Sequence, residues 1–90
     1  MWYYVVGTGM STRDKLLARI RNNPRAVRFE DLAKVLEWYG FELKRVKGSH
    51  HSYVRGHHNL TVPRRTPHLR SYIVKQALQI IDEISGEDED

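Results

Sequence analysis

Apolar residues fall at helical spacing in three stretches of this chain, and between the second and third they alternate in steps of two. The first stretch holds Leu16, Leu17 and Ile20, preceded by Ser11-Thr12-Arg13-Asp14. Ser11 can accept from a free N–H of the first turn, and Asp14 lies near the positive end of the helix dipole. Asn22-Asn23-Pro24 ends the segment, because the residue before a proline is pushed out of the helical region. A second helix is predicted over 29–39, where Phe29, Leu32, Val35, Leu36 and Tyr39 recur on one face. Gly40 stands where a left-handed C-terminal cap is wanted. The third stretch begins at Thr66-Pro67, an N-cap followed by proline at the first helical position. Leu69, Ile73, Ala77, Ile80 and Ile84 then share a face, so the helix is predicted to run through about Ile84.

The alternating region reads as three short strands. Residues 41–44 have the pattern of a half-buried strand, and Gly48-Ser49 is a turn signal. Over 50–55 the period is two: His50, Ser52 and Val54 point one way, and His51, Tyr53 and Arg55 the other. Residues 56–59 read as a second turn. Leu60-Thr61-Val62 reads as a third strand, stopped by Pro63, which has no N–H for a sheet ladder. The order helix, helix, three strands, helix predicts an α+β domain, a three-stranded antiparallel meander with helices on one face.

At 90 residues the chain has room for one core. The domain is expected over 11–84, with an extension at 1–10 and an acidic, disordered tail at 85–90. Met10 directly precedes helix-start chemistry and reads as an alternative start; otherwise Trp2 to Val6 forms an added strand or packs on the surface. The opening Met1-Trp2-Tyr3-Tyr4-Val5-Val6 lacks the cationic start and long apolar centre of a signal peptide. No apolar run approaches a membrane span. The absence of cysteine excludes a disulfide scaffold and thiolate zinc sites, and fits a reducing cytoplasm.

Charge sharpens the picture. The formal net charge of +4 hides a strong asymmetry, since six of the eleven acids lie in the last nine positions. Residues 1–81 carry fifteen bases against five acids, a formal +10. From Leu43 to Ile81 there is no acid at all, but eight Lys/Arg and all five histidines. Such a stretch projects positive potential and draws in phosphate polymers. Histidine is the side chain whose ordinary pKa leaves both protonation states accessible near neutrality. Basic charge with histidine therefore points to nucleic acid, with phosphodiester chemistry as the sharper option.

The helix at 29–39, the Gly40-Phe41 junction, Lys47-Gly48-Ser49-His50-His51, Leu60-Thr61-Val62-Pro63-Arg64 and Leu69-Arg70-Ser71 with Lys75-Gln76-Ala77 together resemble the HicA family of toxins. The resemblance covers roughly residues 29–81. It implies a small ribonuclease of a toxin–antitoxin pair, with a double-stranded-RNA-binding-domain-like αβββα fold plus an extra N-terminal helix. It also implies mRNA as substrate, a HicB-like antitoxin as partner, a cytoplasmic site of action and no cofactor. Carried over by position, the catalytic histidine is His50. The RNA-binding set read from the basic stretch and the motif is Arg45, Lys47, Ser49, Arg55, Arg64, Arg65 and Arg70. Two positions depart from the family pattern: Arg65 stands in a region that often holds a histidine, and Ser52 occupies a strand position that is frequently apolar.

Other readings of the same residues exist. A non-catalytic RNA-binding module would use the same fold for shape recognition. DNA binding through a helix is weaker, because the helices spend their periodic residues on packing and show no helix-turn-helix spacing. Tyr53 and Tyr72 are candidates for base stacking, with a core position favoured for Tyr53. His51, on the opposite side of its strand from His50, reads as structural or RNA-contacting. His57-His58 falls in a predicted turn, where histidine pairs are usually solvated and chelate poorly without further ligands. The acidic end either solubilises the chain or folds back onto the basic face.

Overall fold

The computed structural model describes residues 11–88. The expectations for 1–10, and for the final two acids, lie outside the described residues. Three helices and three strands follow in the order α1 Thr12–Asn22, α2 Phe29–Trp38, β1 Glu42–Lys47, β2 His50–Arg55, β3 His58–Pro63 and α3 Ser71–Asp88. The sheet is antiparallel in the order β1-β2-β3. This is an α+β fold of the double-stranded-RNA-binding-domain kind, preceded by an extra helix.

The helix ends obey the local chemistry of the sequence. Ser11 Oγ accepts from the Asp14 N–H at 3.1 Å, and the Asp14 carboxylate accepts from the Ser11 N–H at 3.4 Å. That reciprocal capping box contributes about 1 kcal/mol. At the end of α2, Gly40 takes a φ of 89°. The Gly40 N–H then reaches the Glu37 carbonyl and the Phe41 N–H the Leu36 carbonyl, each at 3.0 Å. This is the Schellman pattern, closed by the buried pair Leu36 and Phe41.

Period two sets the two faces of the sheet. Tyr53, Leu60 and Val62 are buried against α2 and α3 in one cluster with Ile20, Leu32, Val35, Leu36, Leu69, Val74, Ala77, Ile81 and Ile84. Burial pushes the Tyr53 phenol pKa upward, with a smaller push from the negative charge of Glu37. The opposite face, including His50, has no helix over it among the described residues. Along β1 the register shifts between Leu43 and Arg45, a bulge at Lys44. Every residue of β1 is exposed.

Four expectations are corrected. The last helix starts at Ser71 instead of Pro67, because the Leu69 N–H donates to the Val27 carbonyl at 2.8 Å and its side chain is buried. Residues 66–70 therefore join the α1–α2 connection to the core instead of forming a first turn. On that helix Val74 and Ile81 are buried, whereas Ile80 is only partly so. Strand β3 begins at His58 and includes Pro63, since Gly56-His57 alone make the turn and an edge strand tolerates a residue without an N–H. Finally, α3 runs past Ile84 to Asp88. The acids at 85–88 continue a helix already anchored by Ile81 and Ile84, and extending a formed helix costs far less than starting one.

The leading helix belongs to the core. Ile20 is buried, and Leu16 and Leu17 pack against the same cluster. Arg19 pairs at 3.1 Å with Asp31 of α2, which Arg28 approaches at 3.6 Å. Arg21 reaches Asp82 of α3 through two nitrogens, at 2.6 and 3.3 Å. The hydrogen bond to Asp82 is the main reason the Arg21 pKa is raised further.

Candidate nucleic-acid interface

The residues read as catalytic and positioning meet at the tight β1–β2 turn. Lys47 and His50 are cross-strand partners that close a two-residue loop, Gly48-Ser49. Gly48 has a φ of 59°, in the left-handed region. A Cβ there would meet nothing within 4 Å, so conformation and not space demands glycine. Directly opposed residues share a face. His50, Lys47 and Arg45 therefore share the uncovered side of the sheet, Arg45 opposite Ser52. All three side chains are exposed.

Behind the turn lies a set of contacts that holds it in place. The Ser49 carbonyl accepts from the Arg64 N–H at 2.7 Å and from His51 Nδ1 at 3.0 Å. Accepting by the carbonyl requires a proton on Nδ1. The His51 ring packs on Phe29, centroids 4.6 Å apart. The Arg64 guanidinium lies 4.9 Å over the same Phe29 ring and pairs with Glu30 at 2.9 Å. Thus the helix that opens the family-like segment fixes the loop carrying His50. His51 faces the helices, opposite to His50, as the alternation requires.

Arg65 and Arg70 lie beyond this set, along an open groove of about 410 Å³ shared with Arg25, Leu69, Ser71 and Tyr72. Arg65 also donates to the His68 carbonyl at 3.2 Å. Tyr72 is 61 % exposed, whereas Tyr53 is buried, which divides the two candidate stacking residues. Arg25 escaped the sequence reading because it lies outside the acid-free stretch. Nothing local marks it; the bond from Leu69 to Val27 brings the connection alongside. Trp38 is partly buried, with the Arg13 guanidinium 5.2 Å over its ring.

Arg55 is not brought to this end. It closes the opposite turn, opposite His58, five residues along β2 from His50. Its side chain lies against Gly40, where an added Cβ would stand 3.3 Å from the arginine Nε. At that same far end His57, His58 and Glu87 converge, the one group among the described residues with the donors for a metal ion. The stretch from Leu43 to Ile81 has no acid of its own, but α2 supplies one to Arg64.

An exposed histidine and flanking basic side chains lie on an open antiparallel sheet backed by helices, in a small basic α+β domain of the double-stranded-RNA-binding-domain fold. The family model for the HicA toxin of bacterial toxin–antitoxin systems matches residues 29–82. The chain belongs to that family, and so is a toxin of a toxin–antitoxin system with an antitoxin counterpart. No match is found among curated proteins or among solved structures. Among the described residues no helix is long and apolar enough to cross a membrane.

Proposed function

We propose that this toxin is a cytoplasmic endoribonuclease that cleaves mRNA, with His50 as the general base. The observation that carries the reading is His50 on the uncovered face of the sheet with Lys47 directly across the ladder. His50 takes the proton of a ribose 2′-OH, and the 2′-oxygen attacks the adjacent phosphorus. The bond from phosphorus to the 5′-oxygen breaks, and that oxygen takes a proton from Lys47 or water. The products are a 2′,3′-cyclic phosphate and a 5′-hydroxyl. Lys47 and Arg45 offset the charge that builds on the phosphoryl oxygens, and Arg64, on Phe29 behind the turn, steadies the loop that carries His50. Arg65 and Arg70, with Arg25, extend the track along which the strand lies, and exposed Tyr72 offers a face for a base. Ser49 contributes its carbonyl, which positions the loop; Arg55, at the other end of the strand, is left outside the track.

The antitoxin in this reading is a HicB-like protein, acidic where this chain is basic, that covers His50. A negative surface gains encounter rate against such a face. Blocking one histidine and its neighbours takes only a standard interface of about 800 Å² per partner.

The test uses purified protein with a single-stranded RNA, with and without EDTA, beside all-DNA and 2′-O-methyl strands. Cleavage of RNA alone, persisting in EDTA and ending in a cyclic phosphate or its hydrolysis product, is the expected result. Equal cleavage of DNA, or complete loss in EDTA, overturns the mechanism. RNA binding with no cleavage at all would make the domain a recognition module only.

A further inference from the structure

We propose that His57, His58 and Glu87 form a binding site for a divalent metal ion of the zinc class, linking the β2–β3 turn to the last turn of α3. The site begins with the register of β3. His58 is its first residue and shares the inward face with Leu60 and Val62, so the side chain is carried under the helix. It is only 10 % exposed. Its Nε2 is fully buried and has no hydrogen-bond partner. A buried imidazole nitrogen without a partner is uncommon, because the water it gave up is not replaced. The nearby carboxylate oxygen Oε2 of Glu87 lies 3.4 Å from this orphaned nitrogen.

The neighbouring histidine completes the set. The His57 and His58 rings lie with centroids 4.1 Å apart and planes tilted by 34°. With that stacking both Nε2 atoms lie near one carboxylate oxygen, His57 Nε2 standing 4.0 Å from it. All three ligand atoms fall within 4.8 Å of one another. Tetrahedral zinc, with bonds of about 2.0–2.1 Å, holds its ligand atoms roughly 3.3 Å apart. A small inward shift of the exposed His57 and Glu87 is therefore enough to close the cage. Two adjacent histidines chelate poorly alone, but a carboxylate from a separate element supplies the missing third donor. Two imidazoles and one carboxylate favour zinc, nickel or copper over calcium or magnesium. The side chain of Arg55, the cross-strand neighbour of His58, passes beside Gly40.

This site is separate from the proposed cleavage centre, from which it lies roughly 17 Å along the strand at about 3.3 Å per residue. Its effect is to fasten the end of α3 to the hairpin, and it does not depend on the chain being a nuclease.

The experiment titrates tag-free, full-length protein with ZnCl2 by calorimetry and with Co2+ by visible absorption, while melting temperature is followed at each metal concentration. One equivalent is expected to bind, with the low-coordinate Co2+ spectrum and a melting temperature that rises with metal. His57→Ala and Glu87→Gln, both at exposed side chains, should each weaken binding by about tenfold or more. Both should leave RNA cleavage unchanged, and His50→Ala should leave metal binding unchanged. No saturable binding up to about 1 mM, well above any affinity that would hold the ion at cellular levels, overturns the proposal. So does binding that survives both substitutions, or that disappears with His50→Ala.

Discussion

The two ends of strand β2 carry nearly the same sequence device and have opposite surroundings. Each end is a two-residue turn led by a glycine at positive φ, Gly48 at 59° and Gly56 at 57°. The first turn, Gly48-Ser49, is followed by the pair His50-His51, whereas in the second the pair His57-His58 starts inside the turn itself. At the first end the leading histidine, His50, sits on the uncovered face among Lys47 and Arg45. At the second end the strand residue, His58, is turned inward, with the carboxylate of Glu87 3.4 Å from its Nε2. A one-residue difference in register thus decides which histidine meets solvent. The neighbouring Lys47 and Arg45 at one end suit the proposed RNA, and the neighbouring carboxylate at the other suits the proposed metal ion.

The largest effect that breaks the symmetry is chemical. His50→Ala should reduce cleavage of RNA by about 100- to 10,000-fold, the range of general acid–base assistance. RNA affinity should stay close to that of the parent protein. His57→Ala, at the other turn, should leave the single-turnover rate unchanged. Equal losses at both ends would mean that the histidines act through the fold.

A second pair of substitutions separates turn geometry from turn function. Gly48→Ala and Gly56→Ala meet no atoms within 4 Å, so each should cost only the left-handed backbone penalty, about 1–2 kcal/mol. Urea denaturation should place the two variants close together in stability. Cleavage under conditions where both are folded should fall for Gly48→Ala alone.

Smaller shifts are expected from charge. Lys47→Ala and Arg70→Ala should each reduce the dependence of log affinity on log salt by about 0.7, the value for one phosphate on a single strand. Glu30→Gln releases Arg64 from its 2.9 Å pair and should change the slope in the opposite direction. Glu87→Gln, at the far end, should leave it unchanged. The smallest effect lies between the ends, at Tyr53. Its raised pKa means that the folded state keeps the phenol proton more firmly than the unfolded chain does. The associated stability is complete below the ordinary tyrosine value of about 10 and is lost as pH rises through the raised one. Tyr53→Phe should therefore lose less stability than the parent on going above about pH 10, measured by denaturation at each pH.

What could be read in the sequence was whatever is encoded locally. The N-cap at Ser11, the cap at Gly40 and the alternation over 50–55 each involve residues within a few positions, and all three appear in the structure. The assignment of Tyr53 to the core follows from the same alternation. The start of α3 was not legible, because a bond to Val27, some forty residues earlier, holds Leu69 out of the helix. The sequence could not show that Glu30 would meet Arg64, Arg25 the groove, or Glu87 the two histidines, since each pairing depends on the packing of separate elements. A distance along the chain of 34 residues is invisible to any pattern of period two or 3.6, and that is the separation of Glu30 and Arg64.

Strand β1 is an edge of the sheet whose six residues are all exposed, with Leu43 and Val46 showing apolar surface. Such an edge is a template on which another chain can add a strand, and repeated addition leads to aggregates. Here Lys44, Arg45 and Lys47 repel a second copy of the same edge, and the bulge at Lys44 breaks the flat ladder that stacking requires. Replacing these three with uncharged residues to silence a toxin would therefore remove the charge safeguard and leave the bulge alone to guard the edge. An inactive variant built that way would be a sticky one, so the substitution at His50 is the better route to a harmless, soluble form of the chain.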